Sequence, residues 1–122
     1  MKNIILIDDD EINNFIVPKL IKTVYPDIEI KKFFDPFEAL YKLTESEITP
    51  ETIVLLDLNM PLMDGWQFLE QLAEKKLTCK VFILTTSENP FDLELSKKNE
   101  LVKGFFTKPM TIENVELIFS TL

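Results

Sequence analysis

The chain has 122 residues, 46% of them hydrophobic and ten of them Phe, enough for the core of one compact domain and too little for a second. Its net charge of −8, from 21 acids against 13 bases, argues against a nucleic-acid or anionic-membrane binder. No apolar run approaches the ~20 residues of a membrane span, and histidine is absent, which removes a Ser-His-Asp triad, an imidazole base and most zinc sites.

Asn3 to Ile7 is a short apolar run and predicts a first strand, which stops at Asp8-Asp9-Asp10. A helix is expected from about Asp10 to Val24, with Asp10 as its N-cap. Ile12, Phe15, Ile16, Leu20 and Val24 mark the stripe expected to be buried. Pro18 falls inside that pattern and removes a backbone donor, so a kink or local irregularity is expected there. After the turn at Pro26-Asp27, Ile28 to Phe34 predicts a second strand. Asp35-Pro36 opens a second helix, with Ala39, Leu40 and Leu43 inward. Thr44 to Thr52 is a polar connection.

Ile53-Val54-Leu55-Leu56 is an unbroken apolar run, the pattern of a strand buried on both faces in a parallel sheet. It ends on a carboxylate, Asp57. Pro61 ends any regular run, and Asp64-Gly65 starts a third helix to about Lys76, with Phe68, Leu69, Leu72 and Ala73 on one face. Lys80 to Leu84 predicts a fourth strand, ending on Thr85-Thr86-Ser87. Asn89-Pro90 starts a weak helix to about Asn99, whose apolar residues keep no clean period. Lys103 to Thr107 predicts a fifth strand, ending at Lys108-Pro109. A last helix runs from Thr111, with Ile112, Val115, Phe119 and Leu122 inward. The lone cysteine, Cys79, reads as a small hydrophobe, and Met1-Lys2-Asn3 leads straight into a strand rather than a signal peptide. A reducing cytoplasm is the expected home.

Strand and helix alternate five times, which implies a parallel sheet with helices on both faces and one domain over residues 1–122. The strands of such a sheet share their carboxyl ends, where open α/β folds place ligand crevices. Asp8 and Asp9 follow the first strand, Asp57 the third, Thr85 the fourth and Lys108 the fifth. Three converging carboxylates repel one another unless a cation sits among them, and an all-oxygen site suits Mg²⁺. Lys108 adds a positive charge and Thr85 a hydroxyl for a phosphoryl group, and Asp57 is the natural covalent acceptor.

Asp8-Asp9, Asp57 with Met60-Pro61-Leu62-Met63-Asp64-Gly65, Thr85 and Lys108-Pro109 together resemble the receiver domain of two-component response regulators, in order and over essentially the whole chain. The resemblance implies a flavodoxin-like (βα)5 fold with strand order 2-1-3-4-5. It implies phosphorylation of Asp57 by a histidine kinase or histidine phosphotransfer protein. Mg²⁺ would be ligated by Asp9, Asp57 and the backbone carbonyl of Asn59, with Asp8 acting largely through water. Thr85 and Lys108 would respond to the phosphoryl group, and Lys108-Pro109 would be a cis peptide. Phe105 stands at the family's switching aromatic, and Asn59 and Ser87 at the positions that tune hydrolysis. The region of the fourth helix, fifth strand and fifth helix, about Pro90 to Leu122, would be the output surface. Nothing follows Leu122, so output is expected by docking to another protein, as a monomer or a phosphorylation-dependent dimer. Such a domain handles its own phosphoryl group and is not a turnover enzyme.

Two other classes compete. A haloacid-dehalogenase-type phosphohydrolase also uses a strand-end Asp nucleophile, but it places a second Asp two residues later, where this chain has Asn59. A receiver-like scaffold that has lost phosphorylation would not need the full pocket set.

Overall fold

β3 (Ile53–Leu56) is the middle strand of a five-stranded parallel sheet, with order β2-β1-β3-β4-β5. Its neighbours are β1 (Asn3–Ile7) and β4 (Lys80–Thr85), and the edges are β2 (Glu29–Phe33) and β5 (Val102–Thr107). The helices are α1 (Glu11–Val24), α2 (Pro36–Lys42), α3 (Gly65–Glu74), α4 (Pro90–Lys98) and α5 (Ile112–Ser120). The structure is a computed structural model, and it describes residues 3–43 and 47–120. Thr44 to Ser46, in the expected polar connection, and Leu122, expected inward, lie outside the described residues.

Alternation along the strands makes two cores. Ile5, Ile7, Val54, Leu56, Val81 and Ile83 meet α2 and α3, chiefly Ala39, Leu40, Leu43, Phe68, Leu69 and Leu72. Ile4, Leu6, Ile53, Leu55, Phe82 and Leu84 meet α1 and α5, chiefly Val17, Ile21, Val115, Ile118 and Phe119. Every residue of β3 is 0% exposed, as its unbroken apolar pattern requires. Cys79 is buried too, and burial pushes its thiol up to about 11, so it is a packing residue.

α1 departs from the expected stripe. Its inward residues are Asn13, Asn14, Val17 and Ile21, while Ile12, Phe15 and Ile16 are exposed and Leu20 and Val24 only half-buried. The first turn of α1 stands above the sheet's rim, where Asn13 meets the Asp8 carboxylate and Asn14 the Asp8 carbonyl rather than aliphatic side chains. α1 also runs unbroken through Pro18, where an irregularity was expected. Val17 and Ile21, buried before and after Pro18, hold that segment against the sheet. On α3 the inward residues are Phe68, Leu69 and Leu72, but Ala73 is exposed.

Helix starts are set by side-chain caps. Asp10 accepts from the Ile12 and Asn13 N–H groups, and Asp35 from Phe37 N–H. Asp64 and Gln67 form a reciprocal capping box. Gly65, the first residue of α3, lies so close to the chain after Asp57 that a Cβ there would stand 2.8 Å from the Asp57 carbonyl oxygen and 3.0 Å from Leu58 Cα. Both are backbone atoms and cannot step aside. Glycine here is a matter of space, and it lets α3 start against the loop that follows Asp57.

Candidate functional site

The strand ladders run one step past β1, β3 and β5 and carry Asp8, Asp57 and Lys108 there, while Thr85 is the last residue of β4. Asp8 N–H donates to the Phe33 carbonyl (3.1 Å), Asp57 N–H to the Ile7 carbonyl (3.0 Å) and Lys108 N–H to the Thr85 carbonyl (2.8 Å). One carboxylate oxygen from each of Asp8, Asp9 and Asp57 lies within 4.8 Å of the other two. Asp8 and Asp57 are buried and Asp9 is exposed, so the cluster opens to solvent on one side. Lys108 Nζ stands 2.8 Å from Asp8 Oδ2 and 3.6 Å from Asp57 Oδ2. Its bond to Pro109 is cis.

These contacts shift the acids and the amine. Burial, then the charge of Asp8, pushes the Asp57 carboxyl up from 3.8 to about 6. Lys108 and the Asn59 N–H pull it down, and Asp9 adds to the rise. Burial pulls the Lys108 ammonium down, but its hydrogen bond to Asp8 and the charges of Asp8, Asp57 and Asp10 outweigh that and raise it. The donor set is anionic oxygen throughout, the chemistry preferred by a hard divalent cation, and a cation would relieve the repulsion that Asp8 and Asp9 impose on Asp57. The residues fit Mg²⁺.

Asn59 N–H donates to Asp57 Oδ1 (3.3 Å), and its amide reaches Thr85 Oγ1 (3.4 Å). Thr85 is fully buried and also accepts from Ser87 N–H (3.1 Å). Phe105 packs half-buried against the α2/α3 core, and Phe106 against the opposite one. Every pocket residue expected from the sequence therefore lies at one rim, with Phe105 set below it on β5.

Three residues near the pocket escaped the sequence reading. Asn13 Nδ2 donates to Asp8 Oδ2 at 2.7 Å, and Asn14 Nδ2 to the Asp8 carbonyl at 2.6 Å. Their signal was positional: they precede Val17 and Ile21 on one helical face, so they face inward despite being polar. Asp92 on α4 accepts from Ser87 Oγ (2.6 Å) and from Trp66 Nε1 (3.0 Å). A chain of hydrogen bonds thus runs from Asp57 through Asn59, Thr85 and Ser87 to α4.

The description of the response regulator receiver domain family matches residues 4–119 of this chain. The chain belongs to that family. It is a CheY-like receiver of two-component signalling. Its sequence is 33% identical over 112 residues to the nitrate/nitrite response regulator protein NarL of Escherichia coli K12, covering 92% of this chain and 50% of that protein. The receiver spans half or less of the first curated relatives it matches. A two-component response regulator from Cytophaga hutchinsonii superposes with a TM-score of 0.84 at 24% identity, covering 99% of this chain and 96% of that one. The Vibrio cholerae chemotaxis protein CheY4 superposes with a TM-score of 0.78 at 22% identity, covering 99% and 98%. Those two likenesses bear on the fold. Receiver domains bind Mg²⁺ at an acidic site, work with histidine kinases or phosphotransfer proteins, and serve signalling rather than turnover. Among the described residues no helix is long and apolar enough to cross a membrane.

Proposed function

We propose that this receiver accepts a phosphoryl group on Asp57 from a phosphohistidine of a histidine kinase or histidine phosphotransfer protein, in a Mg²⁺-dependent step. The change in the pocket then alters a protein-binding surface made of α4, β5 and α5. The observation that carries this reading is the convergence of Asp8, Asp9 and Asp57 within 4.8 Å, with Lys108 bridging Asp8 and Asp57.

At neutral pH most Asp57 is ionised, since its carboxyl titrates at about 6. A carboxylate oxygen bonds to phosphorus while the P–N bond of phosphohistidine breaks, and the electron pair leaves on the imidazole nitrogen. Asp9, Asp57 and the Asn59 carbonyl would hold Mg²⁺ directly and Asp8 through water, and the ion supplies charge neutralisation for phosphoryl oxygens. Lys108 is close enough to turn its ammonium to one phosphoryl oxygen. Thr85 accepts from Asn59 and Ser87 and keeps its own hydrogen for another. Asn59, bonded to Asp57, and Ser87, bonded to Thr85, tune the lifetime of the phosphoryl group. Phe105 on β5 and Pro109, next to Lys108, belong to the switch. The partner downstream is a protein that reads α4, β5 and α5.

Acetyl phosphate with Mg²⁺ tests the acceptor. Intact-mass measurement is expected to show one added phosphoryl group on the native chain and none on Asp57→Asn. Label that persists in the variant places the acceptor elsewhere and overturns the reading.

A further inference from the structure

Asp8 already accepts three donors from the protein itself. Its Oδ1 accepts from Asp10 N–H at 2.9 Å. Its Oδ2 accepts from Asn13 Nδ2 at 2.7 Å and from Lys108 Nζ at 2.8 Å. Asn13 and Lys108 therefore share one oxygen of a carboxylate that is 1% exposed. Asn13 is itself buried, and its N–H leans on the Asp10 cap, so it stays with α1 whatever Lys108 does. Asn14 grips the Asp8 main chain instead.

We propose that Asn13 is a positioning residue that sets how readily Lys108 leaves Asp8 for an incoming phosphoryl group. The inference rests on Asp57 being the acceptor. When Lys108 departs, a buried carboxylate oxygen loses a charged donor, and an unpaired buried acceptor is costly. The Asn13 amide keeps that oxygen paired and lowers the cost of release. The same amide ties up charge on Asp8 that a cation would otherwise draw on. Asn13 thus favours Lys108 release at the expense of metal affinity.

The two effects have opposite signs, which a residue serving only the fold cannot produce. Asn13→Leu, close in size but without a donor, and Asn13→Ala are compared with the native chain. Mg²⁺ affinity is read by calorimetric titration, and the acetyl phosphate labelling rate is read at saturating Mg²⁺. Mg²⁺ is expected to bind about fivefold more tightly and labelling to slow about tenfold, the scale of one net hydrogen bond. Asn13→Gln, which keeps an amide, recovers part of both. Melting in EDTA identifies any variant that has lost its fold, and the comparison then runs on the others. Affinity and rate falling together, or neither changing, overturns the role of Asn13. A native chain that takes no label at Asp57 overturns the proposed function instead, so the two failures are distinct.

Discussion

Leu56 and Asp57 are adjacent and almost equally buried, at 0% and 4% exposed, yet their burial acts in opposite directions. Sequestering the Leu56 side chain stabilises the fold by about 2 kcal/mol. Sequestering the Asp57 carboxylate beside Asp8 destabilises it, which is why its carboxyl is pushed up to about 6. The same division separates two helices. α3 buries Phe68, Leu69 and Leu72, whereas the only buried residue of α4 is Ser96. α4 is held instead by directional bonds, from its Asn89 cap and from Asp92 to Ser87 and Trp66. The interior is built for stability. The rim keeps charge and hydrogen bonds in arrangements that a ligand can change, and it gives up stability to do so.

The largest test of that contrast is in the interior. Phe68→Ala is expected to remove about 3–5 kcal/mol in urea denaturation, since Phe68 is fully buried against the sheet. A loss below about 1 kcal/mol would remove the interior from its place in the comparison. Next comes the rim, with the opposite sign. Asp57→Asn is expected to gain about 2 kcal/mol near pH 7 in EDTA. Because the native carboxyl titrates at about 6 and the unfolded one near 3.8, protonation favours the native state. The gain is therefore full above about pH 6 and shrinks to nothing below about pH 4, and denaturation at several pH values reads it. A variant no more stable than the native chain would sink the claim. The smallest effect is at α4. Asp92→Ala is expected to cost about 1 kcal/mol and to speed amide exchange in α4 while leaving the α3 amides protected. Equal loss of protection in both helices would show that α4 is not separately held.

The site was largely legible because a parallel sheet converts chain order into position. Once the apolar runs ending at Ile7, Leu56, Leu84 and Thr107 are read as strands, Asp8, Asp57, Thr85 and Lys108 must share a rim. α1 was not legible in the same way. Its sequence offers two overlapping stripes at helical spacing, Ile12-Phe15-Ile16-Leu20 and Asn13-Val17-Ile21, and the more apolar one faces out. What decides is that inward positions of the first turn meet Asp8, so asparagine belongs there and isoleucine does not. Asp92 was hidden for a related reason. Its partners, Ser87 and Trp66, become neighbours only through the placement of α4 beside α3, and a helix with one buried residue carries no periodicity from which to infer it.

The sheet stops at β2, whose outer backbone ladder meets no further strand among the described residues. Glu29, Lys31 and Lys32 occupy this margin, and Lys31 is paired with Glu47 at 3.1 Å. A foreign chain adding itself here would press its own backbone along a charged border, and two copies meeting at this margin would crowd lysine against lysine. Flat, greasy borders template fibrils. This one discourages such self-templating growth.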